Sequence, residues 1–226
     1  MADKHAKAAL FDAFASVASA LASGRRAEIV DLLAQGDRSV EEIAGETGQS
    51  MAATSHHLRV LAKSGLARSR RDGRRIYYGL ASERVSELWA AVRDVASRHV
   101  AEFGVLAGDY LGSRSEIEQV TAFELAERLT RGSVVLLDVR PAPEFLAGHI
   151  AGARSAPLDA LDEVAATLPR EHVVAYCRGP YCVFADDAVS LLRANGRKAR
   201  RLADGFPEWK AARRPVVGAA SVRGPS

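Results

Sequence analysis

The chain has 226 residues, 48% of them apolar, with 31 Lys and Arg against 28 Asp and Glu. That is enough apolar material for one large core or two ordinary ones, no apolar run reaches the roughly 18 residues of a membrane span, and two cysteines are too few for a secreted disulfide framework. A net charge of +3 is mild, so where the charges sit matters more than their sum.

The first 26 residues are amphipathic, with Asp12 interrupting the apolar part. A secretory signal has an uninterrupted apolar run and a cleavage site, so this segment is expected to be a helix of the mature protein. The expected location is cytoplasmic, with no membrane partner. Residues 39–66, SVEEIAGETGQSMAATSHHLRVLAKSGL, read as two short helices. Ser39 and Glu42 fit a capping box on the first, and Ile43 and Ala44 its inward face. Gly48 suits the turn, and Ser50 caps the second helix. Ala53, Thr54, His57, Leu58 and Leu61 then fall near one face, and Gly65 ends the helix. This is a helix-turn-helix, whose second helix enters the DNA major groove. In residues 66–82, Asp72-Gly73 between two strand-like runs predicts a two-residue hairpin. Arg68, Arg70, Arg71, Arg74 and Arg75 lie on its arms, opposed in sequence only by Asp72. The reading is a wing that touches phosphates while helix side chains read bases.

The stretch QSMAATSHHLRVLAKSGLARSRRDGRRIYYGL resembles the recognition helix and wing of the ArsR family of bacterial winged-helix repressors, over roughly residues 10–100. The resemblance implies an operator-binding homodimer. Its interface would comprise the N-terminal helix and the helix over 86–100, with Trp89, Val92 and Val95 on the apolar face. Ser50, Met51, Ala53, Thr54, Ser55, His56 and Arg59 would lie at or near the groove, with the five hairpin arginines beside them. Many relatives sense a metal through cysteines on the helix before the turn or through Asp/His sets on the dimer helix. Here the first helix has no thiol, and the dimer helix offers only Asp94 and His99. Two such residues do not make a metal site, so no metal is expected in this half.

Residues 1–105 form the expected first domain. Residues 106–117, within the glycine-containing stretch 104–119, are expected as a linker, and residues 217–226, without an apolar period, as a disordered tail. Between them, 118–216 alternates β-rich and helical runs, which predicts an α/β domain with a parallel sheet. SVVLLDV (133–139) places Asp138 and Arg140 at the C-terminal end of a buried strand, where open α/β sheets hold their sites. The alternative is that Asp138, Arg140, Glu144 and His149 form a structural polar network closing the following loop; Glu144 and His149 read that way, and for Asp138 and Arg140 both roles stay open. HVVAYCRGPYC places Cys177 at the end of the next strand, before a tight loop leading into a helix. Backbone N–H groups and the helix dipole make such a loop an anion site, and a cysteine there is expected as a thiolate.

LLDVRPAPEFLAGHIAGARSAPL, VVAYCRGPYC and GFPEWKAARRPV together resemble a rhodanese (sulfurtransferase) domain over about 100 residues. The resemblance implies that Cys177 takes a sulfur atom as a persulfide and passes it to an acceptor thiol. It also implies that the loop of Arg178, Gly179, Pro180, Tyr181 and Cys182 stabilises the outer sulfur through its amides. Rhodaneses often carry arginine at the sixth loop position, which here is Cys182; Arg178 or Arg140 would have to bind an anionic donor. Cys182 reads either as a resolving thiol or as an inward-packing start of the helix. No cofactor is expected. The sequence thus predicts two domains, a mainly-α winged helix-turn-helix and an α/β rhodanese-like domain, in a regulator that senses or transfers reactive sulfur. The alternatives are a sulfurtransferase that uses its helix-turn-helix for dimerisation or localisation, and an arsenic- or metal-responsive repressor using Cys177 and Cys182.

Overall fold

The computed structural model describes residues 3–169 and 172–218. The chain divides into two compact units, one ending at Arg93 and the other beginning at Asp94. Among the described residues no single helix is long and apolar enough to cross a membrane.

The first unit runs α1 (Lys4–Leu21), α2 (Gly24–Leu33), β1 (Arg38–Ser39), α3 (Val40–Thr47), α4 (Met51–Lys63), β2 (Ala67–Asp72), β3 (Arg75–Leu80) and most of α5 (Glu83–His99). The expected capping box is present: the Glu42 N–H donates to the Ser39 hydroxyl, and the Ser39 N–H donates to the Glu42 carboxylate. Gly48 ends α3 with φ 62°, a conformation that costs a β-carbon residue more. Ser50 caps α4 by accepting the Ala53 N–H. Ile29, Ile43, Leu58, Leu61 and Leu66 form the core that fixes α2, α3 and α4 together. The strands pair in the order β1-β3-β2, all antiparallel.

Two details of the hairpin and interface helix differ from the sequence reading. The register pairs Asp72 with Arg75, so the loop residues are Gly73 and Arg74 rather than Asp72 and Gly73. Gly73, at φ 58°, occupies the first loop position, which is where a type II′ hairpin requires glycine. Trp89 is half-buried against the core: its indole N–H donates to Asp31 and its ring packs on the central cluster. The exposed apolar side chains of α5 are Leu88, Val92 and Val95, and those of α1 are Leu10, Phe11 and Phe14.

The second unit opens with the end of α5, then α6 (Phe103–Leu111) and a 3₁₀ turn (Gly112–Glu116). The segment expected as a linker is therefore largely helical, because Val105, Leu106 and Tyr110 continue a helix-compatible pattern through two tolerated glycines. There follow β4 (Gln119–Val120), α7 (Ala122–Thr130), β5 (Val135–Asp138), α8 (Ala142–Ala147), β6 (His149–Ile150), β7 (Arg154–Ser155), α9 (Leu161–Ala166), β8 (Val173–Tyr176), α10 (Phe184–Ala194), β9 (Ala199–Leu202), α11 (Phe206–Ala211) and β10 (Val216–Val217). The main sheet is parallel throughout, in the order β4-β9-β8-β5-β7. Of the tail expected over 217–226, Val217 pairs with His149 in a short two-stranded ribbon, and residues 219–226 lie outside the described residues.

Both faces of the sheet are covered, and residues alternate between them along each strand. Val173, Ala175 and Cys177 face the layer containing α9 and α10. Val174 and Tyr176 face the layer containing α7 and α11, with Leu125, Phe206 and Trp209. That alternation decides which polar residues meet at the strand ends.

Candidate functional site

On the first unit, α4 turns Thr54, Leu58 and Leu61 inward and leaves Met51, His56 and Arg59 exposed. Ser50 is exposed at the cap, and Ala53 and Ser55 are half-buried. Thr54, expected near the groove, is instead fully buried, and its hydroxyl donates to the Ser50 carbonyl. The helical period places it one turn before Leu58, on the core side.

The hairpin arginines are all exposed. Most have partners beyond Asp72: Arg68 pairs with Asp37 at 2.8 Å and Arg75 with Glu41 at 3.6 Å, while Arg70 pairs with Asp72 at 3.0 Å and lies over the Tyr77 ring. Asp37 and Glu41 oppose the wing in space although they lie far from it in sequence. Arg71 donates to the Gly73 carbonyl. These exposed pairs are weak individually, about 0–1 kcal/mol each, and phosphates would compete with them readily. Arg74, at the hairpin tip, has no hydrogen-bond or ion-pair partner among the described residues.

In the second unit Cys177 directly follows β8, and its side chain is 1% exposed. The Cys177 Sγ lies 3.2 Å from the Cys182 carbonyl oxygen and 3.8 Å from that of Gly179. Amides of Ala185 and Gly179 donate to this sulfur, and those of Arg178 and Phe184 to the Cys182 sulfur. Phe184 and Ala185 form the first turn of α10, so the amide cradle draws on that turn as well as on the loop. The Cys177 thiol donates to Cys182. Burial, then this donation, pushes Cys177 well above the ordinary thiol range. The same bond is the main reason that Cys182 falls below it, against burial and with help from the Arg178 and Phe184 amides. Of the two thiols, Cys182 is therefore the more readily deprotonated, rather than Cys177, the expected thiolate.

Asp138 and Arg140 lie elsewhere. Asp138 is in register with Tyr176 and shares its face of the sheet, opposite to that of Cys177. Arg140 Nε donates to Asp138 Oδ1 at 2.9 Å and its Nη2 to Oδ2 at 2.6 Å; the same Nη2 reaches the Gly148 carbonyl at 2.7 Å. The Tyr176 hydroxyl also donates to Asp138 and accepts the Ile150 N–H. The guanidinium sits 4.3 Å above the Phe206 ring, and both charged groups are fully buried. Burial would lower the Arg140 pKa, but the Asp138 bonds and charge outweigh it and the net shift is upward. Expected among the catalytic residues, this pair instead braces the loop after β5, because strand alternation turns it away from the sulfur.

Arg178 points to Glu144, with Nε donating to Oε1 at 2.9 Å. Glu144 is almost fully buried, as a structural residue closing this loop would be, and His149 stacks on Phe145 and bonds to its carbonyl. Gly179 is buried, while Pro180, Tyr181 and Cys182 are half-buried along the loop. The Tyr181 ring meets Phe103 of α6 edge-on at 5.4 Å, and Arg114, just beyond α6, pairs with Asp187 of α10 at 2.8 Å.

Two further residues shape the loop. Arg201 on β9 donates through Nη2 to the Gly179 and Pro180 carbonyls at 3.3 and 3.2 Å, and through Nη1 to Asp186. Pulling those carbonyls toward a cation on one side helps leave amides for the sulfurs on the other. Gly205 lies so close behind the loop that a Cβ there would collide with the Arg178–Gly179 backbone. The Phe206 N–H next to it donates to the Cys177 carbonyl. Arg201 sits beside Arg200 in the short basic run ARRL, which does not single it out in the sequence, and Gly205 is marked there by its place before the helix α11.

Two family models match: "Bacterial regulatory protein, arsR family" over residues 23–69, and "Rhodanese-like domain" over 121–212. The HTH-type transcriptional regulator Rv0324 of Mycobacterium tuberculosis is 48% identical over 93% of this chain and 92% of its own length. The nodulation protein NolR of Rhizobium meliloti is 33% identical over 41% of this chain and 74% of its own. Among solved structures, the homodimeric winged helix-turn-helix DNA-binding domain of Mb0332 from Mycobacterium bovis is 48% identical, with TM-score 0.41, covering 44% of this chain and 90% of that one. The rhodanese-like domain of Alr3790 from Anabaena is 32% identical, with TM-score 0.42, covering 48% and 84% respectively.

Proposed function

The chain belongs to the arsR family of bacterial regulatory proteins, as a DNA-binding transcriptional regulator with a rhodanese-like second domain, and from that premise we propose that Cys177 carries reactive sulfur as a persulfide and that this chemistry informs operator binding. The observation that carries the reading is the seat of Cys177. It ends a central parallel strand, meets amides from its own loop and from the first turn of α10, and is backed by the Arg201 clamp.

In this reading α4 enters the major groove, with Ser50, Met51, Ala53, Ser55, His56 and Arg59 on its outward side, and the wing arginines neutralise phosphates. Two copies associate through the exposed apolar side chains of α1 and α5, namely Leu10, Phe11, Phe14, Leu88, Val92 and Val95. A donor hydropersulfide, R–S–SH, meets Cys177. As the Cys177 sulfur attacks the terminal sulfur, its proton passes to Cys182, and RS⁻ departs. The amides of Gly179 and Ala185 stabilise negative charge in the cradle, as donors do in an oxyanion hole.

The test is operator affinity of the full chain at fixed salt, before and after treatment with a hydropersulfide. A change in affinity is expected, and linkage requires operator DNA to shift the persulfidation equilibrium by the same factor. Equal affinities with intact sulfur uptake would instead make the second domain a sulfurtransferase working independently of the DNA.

A further inference from the structure

The loop holds a second cysteine against the first, with the Cys177 Sγ bonded to the Cys182 carbonyl, and the function of a persulfide carrier does not require a second thiol. Cys182 is half-buried while Cys177 is almost completely covered, so the second sulfur lies nearer solvent. The Cys177 sulfur is also only 3.2 Å from the Cys182 carbonyl oxygen, so the loop curls back until its two ends meet. The cysteines share a cradle in which each sulfur has its own pair of amides. The nearby arginines are each committed to a carboxylate: Arg140 to Asp138, Arg178 to Glu144 and Arg201 to Asp186. The group held against the reactive sulfur is therefore a nucleophile.

We propose that Cys182 is a resolving thiol that converts the Cys177 persulfide into an intramolecular Cys177–Cys182 disulfide. This deepens the reading of Cys177 as the persulfide carrier and rests on it. The reacting form of the pair carries one proton, Cys177–SH with Cys182–S⁻. Cys177 attacks the terminal sulfur of R–S–SH, the R–S bond to that sulfur breaks, and the Cys177 proton moves to Cys182. The products are Cys177–S–SH and RS⁻. RS⁻ takes the proton back from Cys182 and leaves as RSH. The Cys182 thiolate then attacks Cys177 Sγ, forming the disulfide and expelling HS⁻ from the outer position. Overall, Cys177–SH, Cys182–S⁻ and RSSH give the disulfide, RSH and HS⁻. The two cysteine sulfurs are each oxidised by one electron, and the two sulfurs of the donor, leaving as RSH and HS⁻, are each reduced by one. A reducing dithiol restores the starting pair.

The disulfide state differs from the persulfide in a way the fold registers. It joins the end of β8 to the loop two residues before α10 and leaves no thiol proton in the cradle. It also outlasts the donor, because dilution does not reverse it.

Full-length protein treated with glutathione hydropersulfide under anaerobic conditions tests the proposal by intact mass, peptide mapping and sulfide release. Wild type is expected to end two hydrogens lighter, with both thiols blocked to alkylation and one sulfide released per chain. Cys182→Ser is expected to gain one sulfur atom on Cys177 and to release no comparable sulfide. Equal accumulation of the Cys177 persulfide in wild type and Cys182→Ser overturns the resolving role and leaves the carrier reading standing. Sulfur uptake by Cys177→Ser, on Cys182, with none by Cys182→Ser, reverses the two roles and overturns both. Far-ultraviolet circular dichroism confirms that each serine variant is folded, and reduction by a dithiol must return wild type to its starting mass.

Discussion

Deprotonation of the cysteine loop is expected in two separated steps. Cys182 lies below its ordinary range mainly because of its bond with Cys177, so its thiolate is present above that lowered value and is lost as pH falls through it. Cys177 is held up by burial and keeps its proton until pH rises above the ordinary thiol pKa of about 8.5. Ultraviolet thiolate absorbance of native protein should therefore show one equivalent per chain across the intervening window. In Cys177→Ala the donated bond is gone, so the Cys182 step should move up in pH; an unmoved step would show that the two thiols are not linked. Arg201 makes a second residue-level test. Truncating it to Met strands Asp186 in the interior and frees the Gly179 and Pro180 carbonyls. Removing one partner of a buried pair costs about 3–5 kcal/mol, read by thermal or denaturant unfolding, and the surviving folded fraction should take up sulfur more slowly.

Among the elements, the wing and the recognition helix separate cleanly in their expected effects. Replacing Arg74 and Arg75 by Ala should weaken binding to all DNA sequences alike. The slope of log affinity against log salt should flatten by about 0.9 for each phosphate that is no longer neutralised. Ser55→Ala or His56→Ala should alter sequence preference at nearly constant slope. Fluorescence anisotropy across a salt series, with specific and scrambled duplexes, reads both quantities. The local determinants of these elements were legible in the sequence: Ser39 with Glu42, Gly48 and Ser50 act within a few residues of themselves, and the structure keeps each. The parallel sheet and the placement of Cys177 at a strand end were also legible, from the alternation of β and α runs. What failed was whatever depends on a partner distant in the chain. Trp89 turned inward because Asp31 waits for its indole, and Thr54 because the core lies on its side of α4. For Asp138 and Arg140 the sequence left a site role and a structural role open, because strand ends suggest a site but only the register with Tyr176 decides the face. Arg201 and Gly205 went unnoticed because their importance arises only once β9 and the turn after it lie against the cysteine loop.

For the whole molecule, arginine serves two opposite purposes. On the first unit it is spread over an exposed hairpin where loosely held partners are exchangeable. In the second, Arg140 and Arg201 are instead sealed against Asp138 and Asp186 as internal bracing. The two units should therefore respond differently to the same solution conditions, the first through binding and the second through folding. The boundary between them carries a practical consequence. Phe103 and Arg114 precede residue 121, where the rhodanese-like match begins, yet they rest on Tyr181 and Asp187. An excised fragment starting at 121 would keep every strand of the main sheet except β4 and lose the cover over its own reactive loop. Compared with a fragment starting at 94, it should alkylate faster at Cys182 and show greater amide hydrogen exchange over 178–184. Reactivity of the two thiols measured on such an excised piece would then describe an uncapped relative of this protein.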